Sequence, residues 1–211
     1  MWVDVGCAWC YIGKRRLQEA VHRFEHPASV QVRYRSFELD PAAVPGSGRP
    51  LLEHLAERHG GGLGGARAIT DRIAAIAAED GLRLNLDLAV TASSFDAHRL
   101  VQLGLASGGP AEQSAVLERL FSACLTEGRA VDDHSRLQRL AAEAGLDERR
   151  VASVLAADDY AREVRDDEAL AERLGISGVP HLLVDDRHEL SGAQPVDAML
   201  ARLREAWAAR D

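Results

Sequence analysis

Asp4-Val5-Gly6-Cys7-Ala8-Trp9-Cys10-Tyr11-Ile12-Gly13-Lys14-Arg15-Arg16, almost at the start of the chain, is the stretch that decides the fold. Two cysteines at this spacing can close a small disulfide ring or open it again. From Cys10 onward Gly13, Leu17, Ala20, Val21 and Phe24 recur at helical spacing and form one apolar stripe. The cysteines thus stand at the first turn of a helix. Free backbone N–H groups and the positive end of the dipole favour negative charge there. Such an environment stabilises a thiolate, the species that attacks disulfides. Cys10 lies on the stripe and is expected to be buried, whereas Cys7 sits at the open end. Cys7 is therefore assigned as the attacking thiol and Cys10 as the resolving one.

A CxxC is also half of a structural zinc site, and His22 and His26 offer a second half. A zinc finger needs a hairpin to fold its cysteines back over the histidine helix, yet residues 11–24 read as one helix. At 1.5 Å of rise per residue, Cys10 and His22 stand roughly 18 Å apart along the axis. No metal site is expected, and the two histidines read as a solvated face.

The charge of −8 argues against a nucleic-acid surface, which would carry a basic patch. A hydrophobic fraction of 46% and a charged fraction of 27% are those of a soluble globular chain. No apolar stretch is long enough to span a bilayer, so no membrane partner is expected. The start lacks the basic segment and apolar core of a signal peptide, so a cytoplasmic location is expected. One CxxC plus an isolated Cys124 fits a reducing compartment and a catalytic pair, with Cys124 a small core residue on the pattern Leu117-Leu120-Phe121-Cys124.

Along the chain, Met1 to Val5 makes a stub of strand and Val30 to Phe37 alternates as a longer one. Pro41, Pro45, Gly46, Gly48 and Pro50 then lead out of this strand–helix–strand opening. Leu51 to about Leu174 is almost entirely helical. Within it, Ser93 and Asp96 form a capping box for a helix through Leu105, Pro110 lies near the start of the next helix, and Asp147 caps another. Leu82 to Leu88 reads as a loop or short extended piece. The end of the chain returns to mixed structure: a strand His181 to Val184, an Asp185-Asp186-Arg187 turn, a strand His188 to Ser191, and a helix opened by Pro195 and running to Ala209. The class is α/β, a mixed sheet interrupted by a helical block. Gly60, Gly62 and Gly65 satisfy GxGxxG, but Leu51 to His59 before them reads as helix, not the strand that dinucleotide binding requires. The glycines are expected to form a flexible loop between helices.

Taken in order, Asp4 to Arg16, Phe37-Glu38-Leu39-Asp40-Pro41, Asp96-Ala97-His98-Arg99-Leu100, Gly178-Val179-Pro180 and Ser191-Gly192-Ala193-Gln194 resemble the DsbA superfamily. The match is with its FrnE-like branch, neighbour to 2-hydroxychromene-2-carboxylate isomerases and kappa-class glutathione transferases. The resemblance runs essentially end to end. It implies a thioredoxin fold with a large inserted all-helical domain, here residues 1–45 and 165–211 around an insertion at 46–164. It also implies that Pro180 is cis and stands beside the reactive sulfurs, with the Val179 backbone free to pair with an extended substrate. Cys7, Cys10 and Pro180 are then the catalytic set, and Ala8, Trp9, Val179 and His98 border the substrate groove, with Arg99 beside His98. The family's first strand begins several residues earlier, which here implies a shortened central strand. Ala8 replaces the usual proline between the cysteines, Ser93 stands in place of asparagine, and His181 follows the expected cis-proline. Strand alternation turns His181 away from Cys7 if Pro180 points towards it.

The function implied is thiol–disulfide exchange on a disulfide-containing protein or a small thiol, through a mixed disulfide. No cofactor is expected to be bound; the redox-active disulfide does the chemistry, with glutathione as a co-substrate. A homodimer is compatible with this reading. Cytosolic glutathione is poised at roughly −220 to −320 mV, which favours reduction or isomerisation over net oxidation. The alternative is a glutathione-dependent isomerase or transferase, whose relatives usually carry serine at the first active-site position and need no resolving thiol.

Overall fold

A computed structural model describes residues 1–210; the last residue of the expected second segment, Asp211, lies outside the described residues. A four-stranded mixed sheet organises the chain, in the order β2 (Arg35–Ser36), β1 (Trp2–Val3), β3 (His181–Val184), β4 (His188–Ser191). β1 runs parallel to β2 and antiparallel to β3, and β3 and β4 form a hairpin. Its turn places Asp185 at φ 49° and Asp186 at φ 56°. Two successive left-handed residues match the twist of the flanking strands.

Helix α1 (Ala8–Arg23) packs with the C-terminal helix α8 (Val196–Ala208), which Pro195 opens as expected. Cys10, Gly13, Leu17 and Ala20 form the buried stripe of α1 and Phe24 closes it. On the other side of the sheet, the Trp2 ring packs with Ala171 and Ile176. Between β2 and β3 come α2 (Leu51–His59), α3 (Gly62–Glu79), α4 (Phe95–Leu125), α5 (His134–Glu143), α6 (Glu148–Ala156) and α7 (Ala161–Arg173). This is the expected thioredoxin architecture with a helical insertion. The junction expected at 164/165 falls inside α7, which packs against β2 and α4. No helix among the described residues is long and apolar enough to cross a membrane.

Three local expectations need correction. The strand expected over Val30 to Phe37 is regular only at Arg35–Ser36. Upstream, the Gln113 side chain takes the place of a neighbouring strand: its Oε1 accepts from Tyr34 N at 2.9 Å and its Nε2 donates to Tyr34 O at 2.8 Å. The Ser93–Asp96 capping box does not form. Ser94 caps α4 with a near-helical backbone, and the Asp96 carboxylate is taken by Arg99 at 2.7 Å and His134 at 2.7 Å. The expected break before Pro110 is present: the backbone leaves helical geometry at Gly108 and at Gly109, whose φ of 71° suits glycine, so Pro110 opens the second half of α4. Finally, only Gly60 and Gly61 join α2 to α3, while Gly62 and Gly65 lie in the first turn of α3.

Candidate active site

Cys7 is the N-cap of α1, with φ −95° and ψ 109°. Its Sγ accepts from the Cys10 N–H at 3.3 Å, a first-turn donor that the sulfur shares with the Cys7 carbonyl at 3.0 Å. The Cys7 carbonyl takes the N–H of Tyr11 at 3.3 Å, and its own N–H donates to Asp4 O at 3.1 Å. The sulfur is thereby fixed at the end of β1 and the start of α1 at once. On its other side the Cys7 thiol meets the carbonyl oxygen of Val179 at 3.8 Å. The Val179–Pro180 peptide is cis.

Pro180 sits against α1 because Gly13 has no side chain. A Cβ there would stand 3.0 Å from Pro180 Cγ and 3.1 Å from Met1 Cε. His181, next along β3, lies on the opposite side from Pro180. It meets the Trp2 ring edge-on at 6.3 Å and Ser191 Oγ at 3.4 Å through Nδ1, away from Cys7.

Cys10 has no exposed surface, against 7% for Cys7. Its Sγ accepts from the N–H of Asp4 at 3.5 Å. Burial, then the neighbouring Cys7, push the Cys10 thiol well above its ordinary range, so its proton is hard to lose. The third thiol, Cys124, is pushed up to about 12 by burial. All three cysteines are free thiols.

Asp4 is the residue that sequence reasoning missed as part of the site. Its Oδ1 accepts from Gly6 N at 3.1 Å and its Oδ2 from Leu39 N at 2.7 Å, so it ties β1 to the segment after β2. His98 Nε2 approaches Oδ1 at 3.7 Å, too far for a hydrogen bond but close enough for charge to matter. Burial raises the Asp4 carboxyl, but His98 and the two N–H donors outweigh it and hold it below the ordinary carboxylate range. An acidic residue three positions before the first cysteine, in an otherwise apolar strand, was the available signal.

The groove beside Cys7 has a volume of about 470 Å³. Cys7, Ala8 and Trp9 line one wall, with Trp9 36% exposed. Leu51 and Leu55 of α2, with Ile69 and Ile73 of α3, line the other, mostly apolar, wall, and Cys124 lies at the floor. The Val179 carbonyl stands on the far side of Cys7. His98 is not on the groove wall as expected. It is fully buried behind Asp4, because the helical face of α4 that carries it turns inward. Arg99 does not border the groove either: it donates to Asp159 O at 2.9 Å and to the carbonyls of Val154 and Ala157, pinning the α6–α7 connection. His22 is exposed near the other end of α1, and His26 beyond it stacks on Trp207 at 4.3 Å. Among the described residues no group of three or more His, Cys, Asp or Glu is placed to hold a metal ion.

A family model described as a DSBA-like thioredoxin domain matches residues 1–204. In the crystal structure of a probable DsbA oxidoreductase from Streptomyces coelicolor, the related chain is 38% identical. The match covers 100% of this chain and 89% of that one, with a TM-score of 0.94. The cytosolic disulfide reductase DsbM from Pseudomonas aeruginosa, solved with GSH, is 22% identical over 98% of this chain and 97% of that one, with a TM-score of 0.66. A 2-hydroxychromene-2-carboxylate isomerase is 17% identical over 99% and 93%, with a TM-score of 0.68. The last two similarities are of fold alone. No curated protein matches the chain. With Cys7 and Cys10 at the head of α1 and Val179–Pro180 beside them, and the family model matched over nearly the whole length, the chain belongs to the DsbA-like thioredoxin-domain family.

Proposed function

We propose that this protein is a cytoplasmic thiol–disulfide oxidoreductase that works through Cys7 and Cys10. The Cys7 thiolate attacks one sulfur of a substrate disulfide, and the other sulfur leaves as a thiolate with the bonding electron pair. Cys10 then attacks Cys7, forms the Cys7–Cys10 disulfide and expels the second substrate sulfur. The substrate gains two electrons and the protein dithiol loses them. A thiol such as glutathione, as co-substrate, restores the dithiol by the reverse exchange.

One observation carries this reading: the Cys7 sulfur accepts the Cys10 N–H at 3.3 Å and faces the Val179 carbonyl at 3.8 Å. The first contact supports negative charge on the attacking sulfur. The second supports a docking position for an extended substrate, whose backbone pairs with Val179 as an added strand would. Trp9 and the apolar groove give that substrate a surface to cover.

The test is a redox titration of the purified protein against glutathione buffers, with thiols counted by mass. The proposal predicts one two-electron transition, close to 30 mV per tenfold change in the equilibrium constant, mapped to a Cys7–Cys10 bond. A protein that only acquires glutathione on Cys7, with no internal disulfide, contradicts it and favours a glutathione-dependent isomerase.

A further inference from the structure

We propose that the cavity behind the Val179–Pro180 peptide is a subsite for the ammonium group of a lysine in the peptide whose disulfide Cys7 attacks, with Glu189 and His181 as its acceptors. The inference rests on the dithiol reading above and adds a substrate class to it. The cavity has a volume of about 440 Å³ and lies between the segment 174–180, which follows α7, and the β3–β4 hairpin. His181 and Glu189 both stand on its wall. The His181 side chain is 9% exposed, and its Nε2 is buried with no hydrogen-bond partner. A buried polar atom left unpaired is rare and needs a reason. Glu189 Oε2 stands 3.8 Å from that nitrogen, too far for a hydrogen bond, on a side chain that is 58% exposed.

The chemistry of the pair selects a cation that donates hydrogen bonds. Burial lowers the His181 imidazole below its ordinary value, so the ring is neutral near neutral pH and one of its nitrogens is an acceptor. The Ser191 hydroxyl, 3.4 Å from Nδ1, can accept the ring proton, which leaves Nε2 as that acceptor. Glu189 has no Lys or Arg partner among the described residues. Two acceptors at this spacing, one neutral and one charged, can both be reached by a single ammonium at roughly 2.8 Å from each. A carboxylate ligand is repelled by Glu189, and an apolar one leaves both acceptors unpaired. The chain's charge of −8 draws cationic peptides from a distance, but only a built acceptor pair selects where along the peptide the charge stands.

The cavity adjoins the place where a substrate strand docks. Val179 turns its carbonyl to Cys7 at 3.8 Å and also lines the cavity, so the two sites share a residue. Gly178 and Gly192 line it as well, and a Cβ on either would meet no atom within 4 Å. The lining is therefore open at both glycines. A side chain leaving a strand paired with Val179 can pass over Gly178, and lysine can lay its apolar stem there while its charged head enters. The subsite takes no part in the disulfide chemistry; it holds the peptide in position for it.

Cysteine peptides carried as mixed disulfides with the chromophore thionitrobenzoate test this against an excess of the reduced protein. Each peptide has one lysine, placed at one of the three positions on either side of the cysteine, and a twin with glutamine at that place. Salt of roughly 0.3 M screens the long-range attraction. In the wild type, lysine at one position should speed chromophore release at least about fivefold over its glutamine twin, with the other positions within about twofold. In Glu189→Gln, a change at a side chain more than half exposed, that lysine-to-glutamine ratio should fall to about one. His181→Phe, which keeps a ring against Trp2 and removes the acceptor, should lower the ratio at least about twofold. The proposal is overturned if no position favours lysine, if all positions favour it equally, or if the ratio is unchanged in either variant. A wild type that releases no chromophore, or that keeps the peptide on Cys7, overturns the dithiol reading instead.

Discussion

The thiol of Cys7 lies 3.8 Å from the carbonyl oxygen of Val179, a residue 172 positions further along the chain. The whole helical insertion intervenes between them, so this contact depends on the sheet bringing the start of the chain and β3 together. It places the attacking sulfur against the backbone that a substrate strand would use.

Accessibility and charge together separate the three thiols. Brief treatment of the reduced native protein with iodoacetamide should label Cys7 and leave Cys10 and Cys124 unlabelled, because both are buried and burial raises both thiols. Peptide mass mapping reads the outcome. Labelling of Cys124 at a rate comparable to Cys7 contradicts the burial of that thiol.

Gly13 is the point where α1 admits Pro180. A Cβ at 3.0 Å from Pro180 Cγ is tighter than ordinary contact, and a branched side chain is worse. Gly13→Val should cost about 1–3 kcal/mol by overpacking, read as a lower urea midpoint. It should also lower kcat/KM for a disulfide substrate, since Pro180 and Val179 must shift relative to Cys7. A folded Gly13→Val protein with unchanged activity would show that the Pro180 position is not needed.

Acid should unfold the protein through two carboxylates. Glu118 accepts from Lys14 Nζ at 2.5 Å, Tyr11 OH at 2.7 Å and Arg15 Nη2 at 2.8 Å, joining α1 to α4. Burial raises its carboxyl, but Lys14, Tyr11 and Arg15 outweigh that and hold it below the ordinary carboxylate range, as His98 and backbone donors hold Asp4. A carboxylate depressed by folding stabilises the native state above its unfolded value and stops doing so as pH falls through the folded one. Urea midpoints should therefore be steady near neutrality and drop once the pH passes below these ordinary values. Glu118→Gln, which leaves Lys14 buried without its counter-charge, should cost about 1–3 kcal/mol at pH 7, less than a fully buried pair because Glu118 is partly exposed. Equal urea midpoints for wild type and Glu118→Gln contradict the role given to this cluster.

The parts of the fold legible in the sequence were those written in local patterns. The stripe from Cys10 to Phe24, the β3–β4 hairpin around Asp185-Asp186, Pro195 before α8 and the helical reading of Leu51 to His59 all rest on short-range spacing along the chain. The parts that were not legible rest on side chains reaching across the chain. Gln113 pairs with the Tyr34 backbone in place of a strand, and Asp96 is drawn from a capping role by Arg99 and His134. At the site, the cysteines announced themselves by spacing, but Asp4 and His98 did not. His98 on a helix reads as a surface residue until the packing of α4 turns it towards Asp4, and no periodicity records that.

The most direct test of the central claim is Cys10→Ser. A mixed disulfide on Cys7 is short-lived because Cys10, on the next turn of α1, attacks it intramolecularly at a concentration no free thiol reaches. Serine keeps the size of the side chain and removes the attack. Incubated with a disulfide substrate and analysed by mass under non-reducing conditions, Cys10→Ser should accumulate a stable adduct on Cys7 while dithiol-dependent turnover collapses. Near-wild-type turnover with no trapped adduct would contradict the dithiol mechanism and leave the glutathione-dependent isomerase reading in its place.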